Sequence, residues 1–272
     1  VTRRGRAHRG RARPSSTGPN GIDNAFGAKL IPALTSQLRT FAIPSAGLTG
    51  ANERGEGTFL FDVVGLSDDE TQSADGLRID FLTTGLGGSA AGGVPAWDGR
   101  DDWAVLDASL VNGTLTSGGK VRFGSGYVAA GTIVSGAPTN FAFTLRLRGT
   151  VNGAANFDLP FKVRSGFITA RHTPPRAGQP RRLDAGLIVG RIRRDDILQT
   201  LDGALASARQ CAIAPAVAEL MNAMYDLLPP GTPASAACDE LSFAIGFDAV
   251  EAMLPSRVEP ASGGPSATCS TP

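Results

Sequence analysis

Histidine is almost missing from this chain. Two occur in 272 residues, and His8 lies in an arginine-rich leader, so a Ser-His-Asp or Cys-His centre would have to be built on His172. No Gly-x-Ser-x-Gly elbow accompanies it, and histidine-based metal sites need more ligands than are present. Just ahead of Pro174, His172 reads as a solvent-facing strand end. Cysteine is equally sparse: the three in the chain form no Cys-x-x-Cys or Cys/His grouping, which excludes structural zinc. Only Lys29, Lys120 and Lys162 stand against 23 arginines, a ratio that reads as coding bias and weakens any argument from arginine abundance. No apolar run approaches the ~20 residues that a membrane helix needs. No apolar stretch of the signal-peptide kind follows the basic start either. The glycine-rich GLGGSAAGGVP lacks both the strand-to-helix context of a dinucleotide loop and the terminal Gly-Lys-Ser/Thr of a phosphate loop, and reads as a flexible loop.

What is present favours a sheet protein. With 42% hydrophobic residues, the chain can bury a sizeable core. Arg3, Arg4, Arg6, Arg9, Arg11 and Arg13 fall in the first thirteen residues. Without those six, 20 basic residues face 25 acidic ones, about −5. A body of that sign does not build a basic face, so no nucleic-acid partner is expected. Composition predicts a disordered basic leader over 1–20, a single domain over 21–254, and a disordered tail over 255–272.

Periodicity fills in the domain. GIDNAFGAKLIPALTSQLRTF reads as a helix, with Asp23 or Asn24 as cap and Phe26 packing inward. From Gly57 to about Gly190 the period is two: Phe59, Phe61, Val63; Leu77, Ile79, Phe81; Phe141, Phe143, Leu145, Leu147; Phe157, Leu159, Phe161, Val163. These are half-buried antiparallel strands, and the parity places Asp62 and Asp80 on the polar face. At Asn112-Gly113 a two-residue type I′ turn keeps Leu110 opposite Leu115, which predicts a hairpin. At Val151-Asn152-Gly153 parity demands a three-residue loop, pairing Leu147 with Phe157, Leu145 with Leu159, Phe143 with Phe161 and Arg146 with Asp158. Pro160 suggests an edge position. A helical part at about 193–230 follows the strand LDAGLIVG: RRDDILQTLDGALASA, then APAVAELMNAMYDLL. CDELSFAIGFDAV returns as a last strand with Leu241, Phe243, Ile245 and Phe247 on one face. The predicted fold is mainly β with helices: an antiparallel, jelly-roll-like β-sandwich with an N-terminal helix and a C-terminal two-helix insertion before the last strand.

Cys211 sits between the two helices and Cys238 just before the last strand. A Cys211–Cys238 bridge would pin the second helix to the sheet; the alternative is two buried free thiols. Cys269, in the tail, has no core role in this reading, and an odd cysteine hints at a lost partner or an intermolecular bond.

Three stretches carry a resemblance: GIDNAFG, LDAGLIVGRIRRDDILQTL and CDELSFAIGFDAV. In that order, over about residues 20 to 250, they resemble a family of uncharacterised extracytoplasmic proteins, many of them predicted lipoproteins, from myxobacteria and relatives. The resemblance implies a secreted, periplasmic or outer-membrane-anchored protein with a disulfide in its C-terminal helical part. It implies no activity. Family members tend to open with a signal peptide and a lipid-attachment cysteine; here an arginine-rich run stands in that place, so a lipid anchor is expected only if sequence upstream of Val1 supplies it.

Chemistry rests on carboxylates and aromatics. PAWDGRDDWAV sets Asp98, Asp101 and Asp102 between Trp97 and Trp103. Such a loop can stack and hydrogen-bond a glycan or ligate Ca²⁺, although its spacing is not that of an EF-hand. The competing reading is a solvated turn with one buried tryptophan anchor. GLSDDETQSADG, with Asp68, Asp69, Glu70 and Asp75, reads as a solvated acidic connection. The expected function is therefore a non-enzymatic extracytoplasmic or cell-surface protein binding a glycan or envelope component. The alternative is a carboxylate-based hydrolase, which needs two acids ~5–10 Å apart.

Overall fold

The computed structural model describes residues 24–33, 53–69, 74–89, 92–147, 157–207, 209–261 and 268–269. The arginine run, Asp23, Glu70, the latter part of the expected N-terminal helix and the Val151-Asn152-Gly153 loop lie outside the described residues. Among the described residues ten strands form one hydrogen-bonded sheet that does not close on itself: β1 Phe59–Val64, β2 Ala74–Gly88, β3 Asp102–Leu106, β4 Val121–Ala129, β5 Thr132–Val134, β6 Thr139–Leu147, β7 Phe157–Thr173, β8 Arg182–Arg193, β9 Glu240–Val250 and β10 Val258–Glu259. Every pair is antiparallel except β10 against β3. The fold is mainly β with helices.

Alternating apolar residues put one face of the sheet inward, and the sheet curls around them. Phe81, Phe123, Phe161 and Phe243 are fully buried, and Phe141 and Phe143 nearly so. Phe143 touches Phe59, Phe81, Phe161 and Phe243 with ring centroids 5.2–6.2 Å apart. Each such side chain contributes about 1.5–3 kcal/mol by leaving water, and each ring pair roughly 0.5–1.5 kcal/mol beyond that. Bulges produce the curl. At three register shifts a non-glycine residue takes a left-handed conformation: Ser125 in β4, Ser165 in β7 and Ala185 in β8. A bulge adds local twist and bends its strand. The strain has local support, since the Ser165 N–H donates to Asn140 Oδ1 at 2.9 Å and the Ala185 N–H to Asp248 Oδ1 at 2.9 Å.

Strands β6 and β7 pair in the register that parity demands. Leu147 lies opposite Phe157, Arg146 opposite Asp158, Leu145 opposite Leu159 and Phe143 opposite Phe161. Pro160 falls where β7 pairs with β6 alone, because β8 joins only from Arg164.

The hairpin expected at Asn112-Gly113 does not form. Both residues have positive φ and the Thr114 N–H donates to Val111 O, so the local turn is made. The flanking chain, however, folds into three successive 3₁₀ turns (107–109, 111–113, 115–117), and Leu110 bridges Gly119 instead of Leu115. Leu110 and Leu115 still meet, in a small second cluster with Leu82, Val105 and Leu60 on the outer side of β2. GLGGSAAGGVP is not all loop: Gly85–Gly88 continue β2. A Cβ on Gly87 would stand 2.2 Å from the Trp103 ring, so the glycine is what lets that indole lie against the strand.

At the N-terminal end, Asn24 caps a short π-helical segment, Phe26–Leu30, by accepting the Gly27 N–H at 2.9 Å. After β8 the chain forms α1 Arg194–Ser207 and α2 Ala214–Asn222. Asp195 and Asp196 occupy the first turn of α1, where the helix dipole favours them. The second helix is shorter than expected. Beyond Asn222 the chain turns back, and the Asp226 and Leu227 N–H groups donate to Glu240 O at 3.1 Å.

The expected Cys211–Cys238 bridge is incorrect. Cys211 pairs with Cys269, with Cα atoms 5.2 Å apart, and Cys238 is a free, exposed thiol. The proline-rich turn after α2 carries Cys238 onto the surface. Cys269 is held against α1 instead, its N–H donating to Asp202 Oδ2 at 3.1 Å. Residues that read as a tail are thus tied to the domain at Cys269 and at β10.

Candidate functional site

The Trp97–Trp103 loop is built around one carboxylate. Asp101 is buried, and its two oxygens accept the Ala96 N–H at 2.7 Å and the Trp97 N–H at 2.6 Å. That grip holds Trp97 at φ +57°, a conformation costing a non-glycine residue roughly 1–2 kcal/mol. The Asp101 carbonyl also accepts the Met253 N–H, joining the loop to the chain after β9. Asp98 closes its own turn by accepting the Arg100 N–H at 3.0 Å. Asp102 accepts from Arg257 Nε at 3.1 Å and Ser256 Oγ at 3.3 Å. Trp103 is fully buried, and half-buried Trp97 leans on it with centroids 5.5 Å apart.

The five candidate residues therefore come together, but mainly to hold one another. A calcium ion takes about six to eight oxygens, and among the described residues no three His, Cys, Asp or Glu side chains converge. Of the five, Trp97, Asp101 and Trp103 line a cavity, and Trp97 is the one of these three that is not fully buried.

That cavity is a cleft of about 1230 Å³. Trp97 and Trp103 line one part of it; Phe59 and Phe61 of β1, Phe81 of β2, Phe143 of β6, Phe161 of β7 and Phe247 of β9 add further rings to its wall. Most of its charged groups are engaged in the fold, with Lys162 Nζ donating to Asp196 Oδ1 at 3.0 Å, while Glu53 stands exposed at its margin. Asp101 holds the loop, Asp248 Oδ1 accepts the Ala185 N–H at 2.9 Å, Glu251 Oε2 accepts the Arg181 N–H at 3.2 Å, and Lys120 Nζ donates to Ala108 O at 3.0 Å. No family model, curated protein or solved structure matches the chain. The cleft must be interpreted from its own chemistry.

Two polar residues that the sequence pattern leaves open to solvent are buried. Asp80, placed on the polar face by parity, is 1% exposed, because the 107–120 segment folds over the outer face of β2. Arg122 donates to both its oxygens at 2.6 and 2.8 Å, and the Gly119 N–H at 3.2 Å. Burial pushes this carboxyl up, but the Arg122 and Gly119 hydrogen bonds and the Arg122 and Arg78 charges outweigh it and hold the group below its ordinary value. His172, expected to face solvent, is buried in β7 opposite Leu183. Neither lines the cleft.

Sequence reasoning places Phe59, Phe61, Phe143 and Phe247 in the core. Alternation shows which face they occupy. It does not show that β1, paired with β2, and β9, paired with β8, each keep an open outer edge and leave those rings beside an opening.

Proposed function

We propose that this protein is a non-enzymatic extracytoplasmic or cell-surface binding protein that receives a cell-envelope component in the aromatic cleft. The observation that carries the proposal is the cleft itself: about 1230 Å³, walled by six phenylalanines and two tryptophans. Concave, mostly apolar cavities with few polar groups are where proteins hold ligands. The Cys211–Cys269 disulfide supports an oxidising compartment. No helix among the described residues is long and apolar enough to cross a membrane. We also take the curled sheet to work as a jelly-roll-like sandwich does, its two limbs forming layers with the aromatic rings between them and the binding residues at one rim. Binding is favoured over carboxylate hydrolysis because Asp101, Asp248 and Glu251 each grip a backbone N–H, which leaves exposed Glu53 as a single acid where hydrolysis needs a pair.

Tryptophan fluorescence tests the proposal, since Trp97 and Trp103 are the only two in the chain and both line the cleft. Titration with peptidoglycan fragments, lipopolysaccharide, phospholipid vesicles and peptides extracted from envelopes is expected to give a saturable change with one class. Trp97→Ala should abolish or reduce it. Flat titrations across every class would contradict the proposal.

A further inference from the structure

The free edges beside the cleft narrow the ligand class of the proposed binding protein, and the narrower claim rests on that proposal. We infer that the cleft takes an extended polypeptide segment of a partner protein, added as a strand between β1 and β9.

In an antiparallel ladder, successive residues direct their backbone groups alternately toward and away from the neighbour. The Thr84 N–H donates to Thr58 O at 3.1 Å, and Leu60 and Asp62 follow at the same parity opposite Leu82 and Asp80. Phe59, Phe61 and Val63 therefore direct their N–H and C=O groups away from β2. On β9, Ser242 and Ala244 point away from β8, as their bonds to side chains show. The Ser242 N–H donates to Asp226 Oδ1 at 2.8 Å, the Ala244 N–H to Asn24 Oδ1 at 3.1 Å, and Asn24 Nδ2 to Ala244 O at 3.1 Å. Gly246 and Asp248 continue that row. Among the described residues, nothing pairs with the outward groups of Phe59, Phe61, Gly246 or Asp248.

Folded proteins guard open sheet edges against indiscriminate pairing. Here Asp226 and Asn24 guard β9 as far as Ala244, and the guard stops where β9 begins to line the cleft, at Ile245. Strand sense points the same way. From β1 through β2, β4, β5, β7 and β8 to β9 each pairing is antiparallel, so β1 and β9 run in the same direction. One strand antiparallel to both would satisfy both rows and complete an eight-stranded antiparallel barrel. Phe61 and Phe247, stacked at 4.9 Å, offer an apolar floor for every second side chain of the guest, while the alternate ones face solvent. Two facing rows of donors and acceptors at the strand repeat match a peptide backbone; a glycan or a lipid chain has no such repeat.

The test is hydrogen exchange on the full chain with binders selected from a displayed library of about ten-residue segments that alternate apolar and polar residues. Selected peptides are expected to slow exchange of the Phe61, Gly246 and Asp248 amides about tenfold or more. The same peptides N-methylated at alternate residues should not. Gly246→Pro removes an outward N–H without touching the β8 ladder and should weaken binding about tenfold, whereas Gly246→Ala, with its nearest neighbour 3.8 Å away, should bind normally. Protection of these amides in the free protein overturns the inference, because the slot is then already filled; if the protection depends on concentration, a second copy fills it. Binders indifferent to N-methylation, or no binders, also overturn it. A glycan or lipid that perturbs Trp97 without protecting either row removes strand addition but leaves the binding-protein proposal; silence from every probe removes both.

Discussion

Replacing Cys269 by serine opens the covalent loop that Cys211 and Cys269 close across a sequence separation of 58. In the chain-entropy model a loop of that length restricts the unfolded ensemble by about 14 cal/mol/K, or about 4 kcal/mol at 25 °C. Typical net stability is about 5–15 kcal/mol, so the loss is a large share of the total. A domain of this size shifts its Tm by about 2–4 °C per kcal/mol, so Cys269→Ser should melt some 8–16 °C below the parent. Cys238→Ser should change stability by no more than about 0.5 kcal/mol, because an exposed free thiol is removed. Thermal and urea denaturation of both variants without reductant, with non-reducing peptide mapping, give the comparison. A large loss in Cys238→Ser beside a neutral Cys269→Ser would refute the assignment and restore the Cys211–Cys238 pairing.

Other substitutions probe the sheet. Asp80 has a lowered pKa in the folded state, so its stabilisation is present above the unfolded carboxylate value near ~3.9 and is lost as pH falls below that and through the folded value. Asp80→Asn should lose about 2 kcal/mol at neutral pH and show a flatter acid limb in urea titrations run from pH 7 to 2. An acid limb as steep as the parent's would show that Asp80 is not the titrating group. Tyr225 has a buried hydroxyl without a partner among the described residues, and burial pushes its pKa up to about 12. Its ultraviolet titration should therefore run late; Tyr225→Phe should remove that step without loss of stability, and a destabilised variant would reveal a hidden partner. Gly87→Ala would drive a methyl into the Trp103 ring, costing about 1–3 kcal/mol and red-shifting the emission. An unchanged spectrum would show that the indole is not seated on β2.

Much of the fold was legible because side-chain parity in a half-buried sheet follows directly from the sequence. The β6–β7 register rests on eight apolar residues and a glycine-bearing turn, and it holds residue for residue. Parity says nothing about what lies over the other face. Asp80 was assigned to the polar side correctly, yet the 3₁₀ turns that bury it came from a segment whose Asn112-Gly113 pair forms the right local turn without strands to follow. The disulfide failed for a related reason: Cys269 is flanked by small polar residues with nothing to bury, and its attachment to Asp202 is a long-range bond that no local pattern announces. At the candidate site, the grouping of Trp97, Asp98, Asp101, Asp102 and Trp103 was legible. The engagement of Asp101 with two backbone N–H groups was not, since a carboxylate in a turn reads the same whether it faces a ligand or its own chain. The opening beside Phe61 and Phe247 depends on which strand edges stay unpaired, and that is decided by the whole topology.

The most direct test of the binding-protein account is an amide-resolved exchange map of the full chain, free and saturated with whichever envelope component changes Trp97 fluorescence. New protection confined to residues 59–63, 95–103 and 245–251, the walls of the cleft, is the result the account predicts. Protection elsewhere with these segments unchanged would contradict it, because the ligand would then sit on another surface.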